Sequence, residues 1–570
     1  MKKFFPLFIV SFIFLVSILG AQVVFVPLGN EVYDFLERME IKGLTGKCYN
    51  MTKPMSRQEV AKYLLNIRQS EKYGELSAVA KDELNDFISR QYAEEVKRLS
   101  MKDSVVTALP EDNSTPKWHP LQFPNTFQDD KSFLAFMPLL RFKSNYNISD
   151  SSFFDKNNQR LTGGGEIYGY LGDDIGFYFY GVNNAEKGNS YDIRKLDSPE
   201  QGTGWVGSFE DSKTYEQVDA YISFSTRYID FIFGRYSNYW SNGATGSLTL
   251  SNKPPSYPQI MLKTGFSDWL RFVYFHGWLE SEILDEELSY LFEWGAGDTL
   301  ERRFFEKKYV AANRLEIIPL DNLKFGFSEL LYYGERDPEP VYFIPIILFW
   351  SAQHYTNDQD NLQIGIDAEW IPFDFLKLYG SIMIDEIKLS KIFDEKGARN
   401  QLGFQTGAHF VEPFLPGLDF RIEYTRLNPW TYTHKFPINE ATSDNYITGY
   451  WTGQNADNLL LEIDYQASAD LKTSLNLERY RKGAQKDIWY QYHTPPREEF
   501  LYGHQYTKNT VGLSLNYEIT EHLSCSMGYK FMEYDVKEEN INNEEYVNPV
   551  LYESDFTQQT ISFSIGFGIL

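Results

Sequence analysis

The chain has 570 residues, of which 42% are hydrophobic and 17% are aromatic, and its formal net charge is −25. So acidic a chain is a poor partner for nucleic acid and other anionic polymers over most of its surface. Its two cysteines, Cys48 and Cys525, are too few for a disulfide framework, and its eight histidines show no spacing typical of metal ligands. We therefore expect no metal, no cofactor and no nucleic acid, and we expect both cysteines to be packing residues.

The N-terminus has the composition of a secretory signal peptide. A basic start, Met1-Lys2-Lys3, precedes an apolar run over residues 4–19 and the small residues Gly20 and Ala21. The run is shorter than the roughly 20 residues that a membrane-spanning helix needs, so an uncleaved anchor is the less favoured alternative. We predict a signal peptide over residues 1–21 and an exported protein.

Residues 22–131 are predicted to form a small helical domain and a connector. Ser56 and Glu59 have the spacing of a capping box, in which each side chain bonds the backbone N–H of the other. Prolines at positions 110, 116, 120 and 124 force extended backbone in the connector. Three apolar patterns at helical spacing precede it: Val32, Phe35, Leu36 and Met39; Val60, Leu64 and Ile67; and Leu84, Phe87, Ile88, Tyr92 and Leu99.

Apolar and polar residues alternate in residues 132–570, as Ile561, Phe563 and Ile565 do with Ser562 and Ser564. A period of two places all apolar side chains of a strand on one face. Eight short turns built on Asp or Glu join these runs in pairs, and long polar loops separate the pairs. The turns lie at residues 172–174, 228–230, 267–268, 320–322, 373–374, 416–419, 468–470 and 520–522.

Short turns on one side and long loops on the other are typical of a barrel in an outer membrane. Eight turns, with one strand added at each end, give 2 × 8 + 2, or about 18 strands. A large soluble β-sandwich is the alternative fold with the same alternation. The sequence predicts an all-β transmembrane β-barrel of about 18 antiparallel strands over residues 132–570, with a small N-terminal α-helical domain. We expect it in the outer membrane of a diderm bacterium, with the helical domain in the periplasm and the long loops outside.

Several segments resemble the Wzi-like family of capsule-assembly outer-membrane proteins. The most specific lies within residues 233–255 and contains Tyr239-Trp240-Ser241-Asn242-Gly243. Another begins at Val26-Pro27-Leu28-Gly29 and leads to Lys53-Pro54-Met55-Ser56, and a third runs from residue 313 to 336. The resemblance covers about residues 26–390 and implies a large barrel with a periplasmic helical bundle. It also implies a role in holding capsular or other surface polysaccharide at the cell.

The loop around Trp240 is the first candidate binding site. Tyr239 and Trp240 are candidates for stacking on sugar rings, and Asn242 and Asn252 for hydrogen bonds to sugar hydroxyls. The alternative is that this loop folds into the lumen as a constriction, with its glycines serving tight turns. Later loops add five candidates, for which anchoring at the membrane interface is the alternative role: Trp430, Tyr450, Trp451, Trp489 and Tyr490.

We expect no catalytic residues. Glu462 and Asp464 alternate on one strand, but carboxylates lining a barrel are explained by cross-strand pairing with basic residues. The predicted function is a non-catalytic, lectin-like barrel that binds surface polysaccharide, with a passive or sugar-selective porin-like channel as the alternative. The predicted partners are surface polysaccharide, outer-membrane lipid and lipopolysaccharide, and the chain is expected to be a monomer.

Overall fold

The computed structural model describes residues 23–102, 125–128 and 132–568, apart from 173, 189–191, 227, 296–297, 358, 388–399, 494–497, 521 and 538–551. The predicted signal peptide and the prolines of the connector lie outside these residues. Within them, eighteen long antiparallel strands close into a barrel, to which Asn125–Gln128 and Val206–Phe209 add two short strands. The predicted fold class is confirmed.

The wall strands follow one another around the barrel in chain order, and β18 pairs with β1 to close it. Their bounds are β1 Ser132–Ser149, β2 Asn157–Leu171, β3 Ile175–Lys187, β4 Ser212–Ser225, β5 Ile229–Tyr236, β6 Tyr257–Gly265, β7 Leu270–Leu284, β8 Phe305–Leu320, β9 Leu323–Gly334, β10 Asn361–Phe373, β11 Leu376–Glu386, β12 Gln401–Val411, β13 Leu418–Leu427, β14 Ala456–Ser468, β15 Leu471–Lys482, β16 Tyr506–Thr520, β17 Leu523–Val536 and β18 Phe556–Phe567.

All eight predicted turns join neighbouring strands at one end of the barrel, from β2–β3 to β16–β17. Two turn residues, Asp173 and Glu521, lie outside the described residues. The longer connections lie at the opposite end. We call the two ends the short-turn end and the long-loop end.

The alternating residues divide between lumen and exterior as the period of two requires. On β18, Ile561, Phe563 and Ile565 are 52%, 40% and 38% exposed on the outer face. Val511, Leu513 and Leu515 continue this apolar belt on β16. None of the helices in the described part of the chain is long and apolar enough to span a membrane.

The predicted helical patterns form four helices: α1 Val32–Ile41, α2 Arg57–Gln69, α3 Ala78–Asp86 and α4 Ala93–Lys102. The Ser56–Glu59 capping box begins α2 as predicted, and one π-helical turn, Phe87–Gln91, joins α3 to α4. Apolar side chains from all four helices share one core, which also buries Cys48. Cys525 lies half-buried in β17, and both thiols are free.

The helical bundle lies in the short-turn end of the lumen. From α1, Arg38 pairs with Asp419 at 2.9 Å and with Glu412 at 3.2 Å, next to the β12–β13 turn. From α2, Glu59 pairs with Lys263 at 2.6 Å and with Arg271, which lie on β6 and β7. The bundle is therefore tied by buried charges to two separate parts of its own barrel wall.

Candidate functional site

The loop between β5 and β6, residues 237–256, folds into the lumen and meets the helical domain there. Its Tyr239–Trp240 segment forms a two-stranded sheet with Thr52–Lys53, and the backbone N–H of Trp240 donates to the Leu250 carbonyl at 2.9 Å. The Trp240 side chain is fully buried, with the Phe275 ring 5.5 Å away. Trp240 is thus a central packing residue of the lumen.

Glu423 on β13 holds the tip of this loop. Its carboxylate accepts the backbone N–H groups of Ala244 at 2.6 Å and Thr245 at 3.1 Å, and also the Thr245 hydroxyl. The Tyr379 hydroxyl donates to the same carboxylate at 2.8 Å. A buried carboxylate with four donors is well satisfied, so the loop tip has a defined position against the wall.

A second inward loop, residues 428–455 between β13 and β14, packs against the first. The Tyr432 hydroxyl donates to the Leu248 carbonyl at 2.6 Å, and the Tyr450 hydroxyl lies 2.6 Å from the Thr245 hydroxyl. The backbones of the two loops also lie close together at Gly449. A side chain does not fit there, because a Cβ atom at this position would lie 2.6 Å from the Leu248 carbonyl oxygen. The two loops form one interlocked layer above the helical bundle.

A third loop, between β3 and β4, is joined to the first through Lys253. The Lys253 ammonium donates to the carbonyl oxygens of Ser198 at 2.7 Å and Glu200 at 2.9 Å, and to that of Lys195. Burial lowers the pKa of Lys253 to about 8, although nearby acidic residues oppose this effect. The lysine therefore serves as a bridge between two loops of the long-loop end.

Most of the predicted aromatic site residues lie within this packed layer. Trp430 is buried against Tyr502, with 5.6 Å between ring centroids, and Tyr450 is fully buried. Trp451 is buried against Tyr480, with 5.0 Å between ring centroids. The structure brings Trp240, Tyr450 and Trp451 together as core residues and leaves them no open face for a polymer.

The polar candidates of the first loop are less buried. Tyr239 is half-buried, and its hydroxyl donates to the Gly243 carbonyl at 2.5 Å. Asn242 is half-buried close to this turn. Asn252 is half-buried and lines a cavity that remains in the lumen.

Trp489 and Tyr490 lie apart from the packed layer. They belong to a short helix, Trp489–His493, in the β15–β16 loop, and are 56% and 37% exposed. The same helix is fastened by Gln491, whose side chain is buried and accepts a hydrogen bond from Gln401 at 3.0 Å. Of the nine predicted residues, these two aromatic side chains are the ones that face outward at the long-loop end.

A cavity of about 1830 Å³ lies in the lumen beside β1–β5 and β12–β18. It is bordered by bundle residues such as Phe87 and by Ala469 and Asp470 of the β14–β15 turn, and Thr245 and Asn252 border it toward the long-loop end. Its wall carries both signs of charge, including Arg141, Lys143, Arg160, Glu462, Asp464 and Glu478. Such a surface is suited to water and neutral polar groups more than to one class of ion.

The lumenal carboxylates that resemble a catalytic pair are engaged with basic residues. Glu462 lies 3.7 Å from Arg421, and Asp464 lies 3.3 Å from Lys472. These are the cross-strand pairs that the sequence predicts. Among the described residues no group of His, Cys, Asp and Glu side chains has the arrangement of a metal site.

Sequence reasoning missed three other aromatic residues that are prominent on the long loops. Trp205 is 80% exposed, Phe209 is 68% exposed and Trp294 is 62% exposed. Trp294 lies on the strand Tyr290–Trp294, whose five residues are all exposed and which pairs with Asp298–Arg302. All three are aromatic residues in predicted loops, which is the pattern that indicates a candidate sugar contact. Nothing in the local sequence, however, distinguishes them from loop aromatics that are buried.

The chain has the features of an outer-membrane β-barrel: eighteen strands, short turns at one end, long loops at the other and an apolar outer face. The lumen of this barrel holds helices and loops of the same chain. The family model described as capsule assembly protein Wzi matches residues 144–546, well over half of the chain. The chain belongs to this family, and the resemblance found in its sequence is confirmed.

A solved structure has the same fold. The chain is similar, at 12% identity and a TM-score of 0.55, to a structure described as Wzi, an outer membrane protein involved in group 1 capsule assembly in Escherichia coli and a carbohydrate-binding β-barrel; the match covers 95% of this chain and 99% of that one. At this identity the likeness shows the fold alone.

Two further barrels are more distant. OprD of Pseudomonas aeruginosa matches at 11% identity and a TM-score of 0.39, over 76% of this chain and 94% of that one. OccAB1 of Acinetobacter baumannii matches at 8% identity and a TM-score of 0.42, over 77% and 97%. Among curated proteins, none matches the chain.

Proposed function

We propose that this barrel binds surface polysaccharide, capsular or related, and holds it at the cell without catalysing a reaction on it. Membership of the capsule-assembly family and the carbohydrate binding described for the Escherichia coli protein of the same fold support this proposal. The observation that carries it is the exposed pair Trp489 and Tyr490 on a fastened loop helix. Aromatic faces suit the C–H faces of sugar rings, and a fixed side chain loses little entropy on binding.

The orientation follows from the barrel type. Outer-membrane barrels have short turns on the periplasmic side and long loops outside. On this basis the helical bundle faces the periplasm and Trp489 faces the cell exterior. Nothing in the proposal requires a channel, since the polymer is held at the outer surface.

Retention of a long polymer does not require one tight site. Each loop supplies a weak contact, and a repeating polymer meets several such contacts at once, so the second contact forms at a high effective concentration. Trp205 and Trp294 are further exposed rings on other loops that extend this surface. We propose that the chain works as a monomer surrounded by outer-membrane lipid and lipopolysaccharide.

The test is polysaccharide retention by cells that lack the native gene and express a variant. Replacing Trp489 and Tyr490 with alanine removes about 1 kcal/mol of stacking for each ring, or roughly five-fold in affinity. We expect shed polysaccharide to rise and cell-bound polysaccharide to fall at unchanged total synthesis. The matched control is Trp269→Ala, because Trp269 is 46% exposed but lies at the short-turn end.

Retention that stays at the native level in the double variant would contradict the proposed contact surface. Retention that stays native even when the whole gene is deleted would contradict the anchoring function. The porin-like channel would then be the function to test.

A further inference from the structure

The connection between β9 and β10 does not fold into the lumen. Phe275 on β7 contacts Trp240 in the lumen, so its neighbours Tyr274 and His276 face the exterior of the barrel. The Tyr274 hydroxyl donates to the Tyr342 carbonyl at 2.8 Å, and the Phe343 ring stacks on His276 at 4.2 Å. The connection therefore lies on the outside of the wall. We call residues 337–356 the strap.

Exposure along the outer wall confirms where the strap lies. Toward the short-turn end, outward-facing Leu315 on β8 and Phe327 on β9 are 38% and 43% exposed. Farther along the same strands, outward-facing Ala311 and Leu331 are fully buried. They are covered by the inner side of the strap in one apolar cluster, to which the strap contributes Tyr342, Phe349 and Ala352.

Polar residues on the outer wall bind the backbone of the strap. Glu329 accepts the Phe349 N–H at 3.1 Å and the Asn313 side-chain amide at 3.1 Å. The Asn313 amide also donates to the Ile347 carbonyl at 3.4 Å. Irregular backbone is tolerated beside a hydrocarbon phase only where its polar groups are satisfied by protein. These outward polar residues are thus explained by the strap that they hold.

The base of the strap is closed by Asp360. The Arg336 guanidinium donates to both carboxylate oxygens of Asp360, at 2.7 and 2.9 Å, and the Tyr342 hydroxyl donates to it at 2.5 Å. The residues before and after the strap are therefore joined to each other and to its inner side. A loop fastened in this way is part of the fold.

The outer edge of the strap is apolar. Residues 340–356 contain no Asp, Glu, Lys or Arg. At the polar margin of the strap, Lys307 and Asp337 form an exposed ion pair at 2.6 Å. The large apolar and aromatic side chains exposed on this edge are Phe343 (37% exposed), Ile344 (47%), Ile346 (85%), Leu348 (64%), Trp350 (58%) and Tyr355 (85%). One polar side chain, that of His354, is also exposed, and its ring lies 5.3 Å from the Trp350 ring.

We propose that the strap is a lipid-binding element whose outer edge lies among acyl chains, just below the headgroups, in the leaflet at the long-loop end. The edge continues the lipid-facing belt of Leu315 and Phe327 without a break, and it stops at the charged Lys307–Asp337 pair, as an interfacial segment does. Lipid contact by the strap fixes the depth of the barrel in the membrane. The long loops are therefore held at one height above the bilayer. This inference does not depend on polysaccharide binding.

The test uses the full-length protein, with Cys525 replaced by Ser, in phosphatidylcholine vesicles. An environment-sensitive fluorophore is attached to the cysteine of the Ile346→Cys variant. Quenching of its fluorescence is compared between lipids with a nitroxide near the headgroup and lipids with a nitroxide near the end of the acyl chain. Phe327→Cys on the outer wall is the control for lipid contact, and Asp337→Cys is the control for water contact.

We expect the label at position 346 to lose most of its fluorescence to headgroup-proximal nitroxide and little to aqueous iodide, whereas the label at 337 behaves in the opposite way. Quenching by iodide alone would place the strap edge in water and overturn the proposal. Shielding from both quenchers would mean that protein, such as a second copy of the chain, covers the strap, and would also overturn it.

Discussion

At the scale of single residues, buried charges decide whether the helical bundle stays in the lumen. Burial alone would raise the pKa of Glu59, but Arg271 and Lys263 hold that pKa well below its ordinary value. The carboxylate is therefore ionised at neutral pH, and it contributes stability that is fully present above the ordinary pKa of a glutamate and is lost as the pH falls from there through the lowered pKa. Removing one member of such a group leaves the other charges buried without a counter-charge.

We predict that Glu59→Gln lowers the free energy needed to open the bundle at α2 by roughly 3 kcal/mol, because Arg271 and Lys263 lose their shared partner. Glutamine still completes the capping box with Ser56, so the change isolates the charge. Hydrogen exchange of the α2 backbone amides in detergent measures the effect, and roughly a hundred-fold loss of protection is expected.

The matched control is Lys72→Gln, which breaks another contact between bundle and wall. Lys72 lies 2.6 Å from Asp374, but these side chains are 41% and 74% exposed. An exposed pair is worth about 0–1 kcal/mol, so protection should change by less than about ten-fold. Equal effects of the two variants would show that burial does not distinguish these ion pairs.

Composition alone does not distinguish the buried loop aromatics from the exposed ones. Trp240 and Trp489 both lie in long polar loops, and both are candidates for sugar contact on composition alone. Trp240 is fully buried against Phe275, because its segment pairs with Thr52–Lys53 in the lumen, whereas Trp489 is 56% exposed on a short helix at the long-loop end. Which direction a loop takes depends on partners far along the chain, such as Thr52 for Trp240.

At the scale of elements, the strands and turns of this barrel are predictable and the loops are not. Alternation and short acidic turns are local patterns, so the eight turns and the apolar face of β18 follow from the sequence. The apolar run at residues 341–350 is also visible in the sequence. Its position outside the wall depends on Asn313 and Glu329, whose outward orientation is defined by the register of β8 and β9.

We predict that Asp360→Ala releases the strap, because the Arg336 and Tyr342 donors lose a buried acceptor worth about 1.5–3 kcal/mol for each charged hydrogen bond. Limited digestion with chymotrypsin should then cut within the strap, while the native protein is cut slowly there. Asp337→Ala is the control, since its ion pair with Lys307 is exposed. A native digestion rate for Asp360→Ala would mean that the outer wall alone holds the strap.

At the scale of the whole molecule, the question is whether the barrel conducts. An empty barrel of about 18 strands leaves an aqueous channel, but here the bundle occupies part of the lumen at the short-turn end and two loops form a layer above it. We predict no resolvable ion current for the native protein in a planar bilayer, and intermittent openings for Glu59→Gln as the bundle loosens. Lys72→Gln should stay closed. Steady current through the native protein would contradict the plugged lumen and favour the porin-like function.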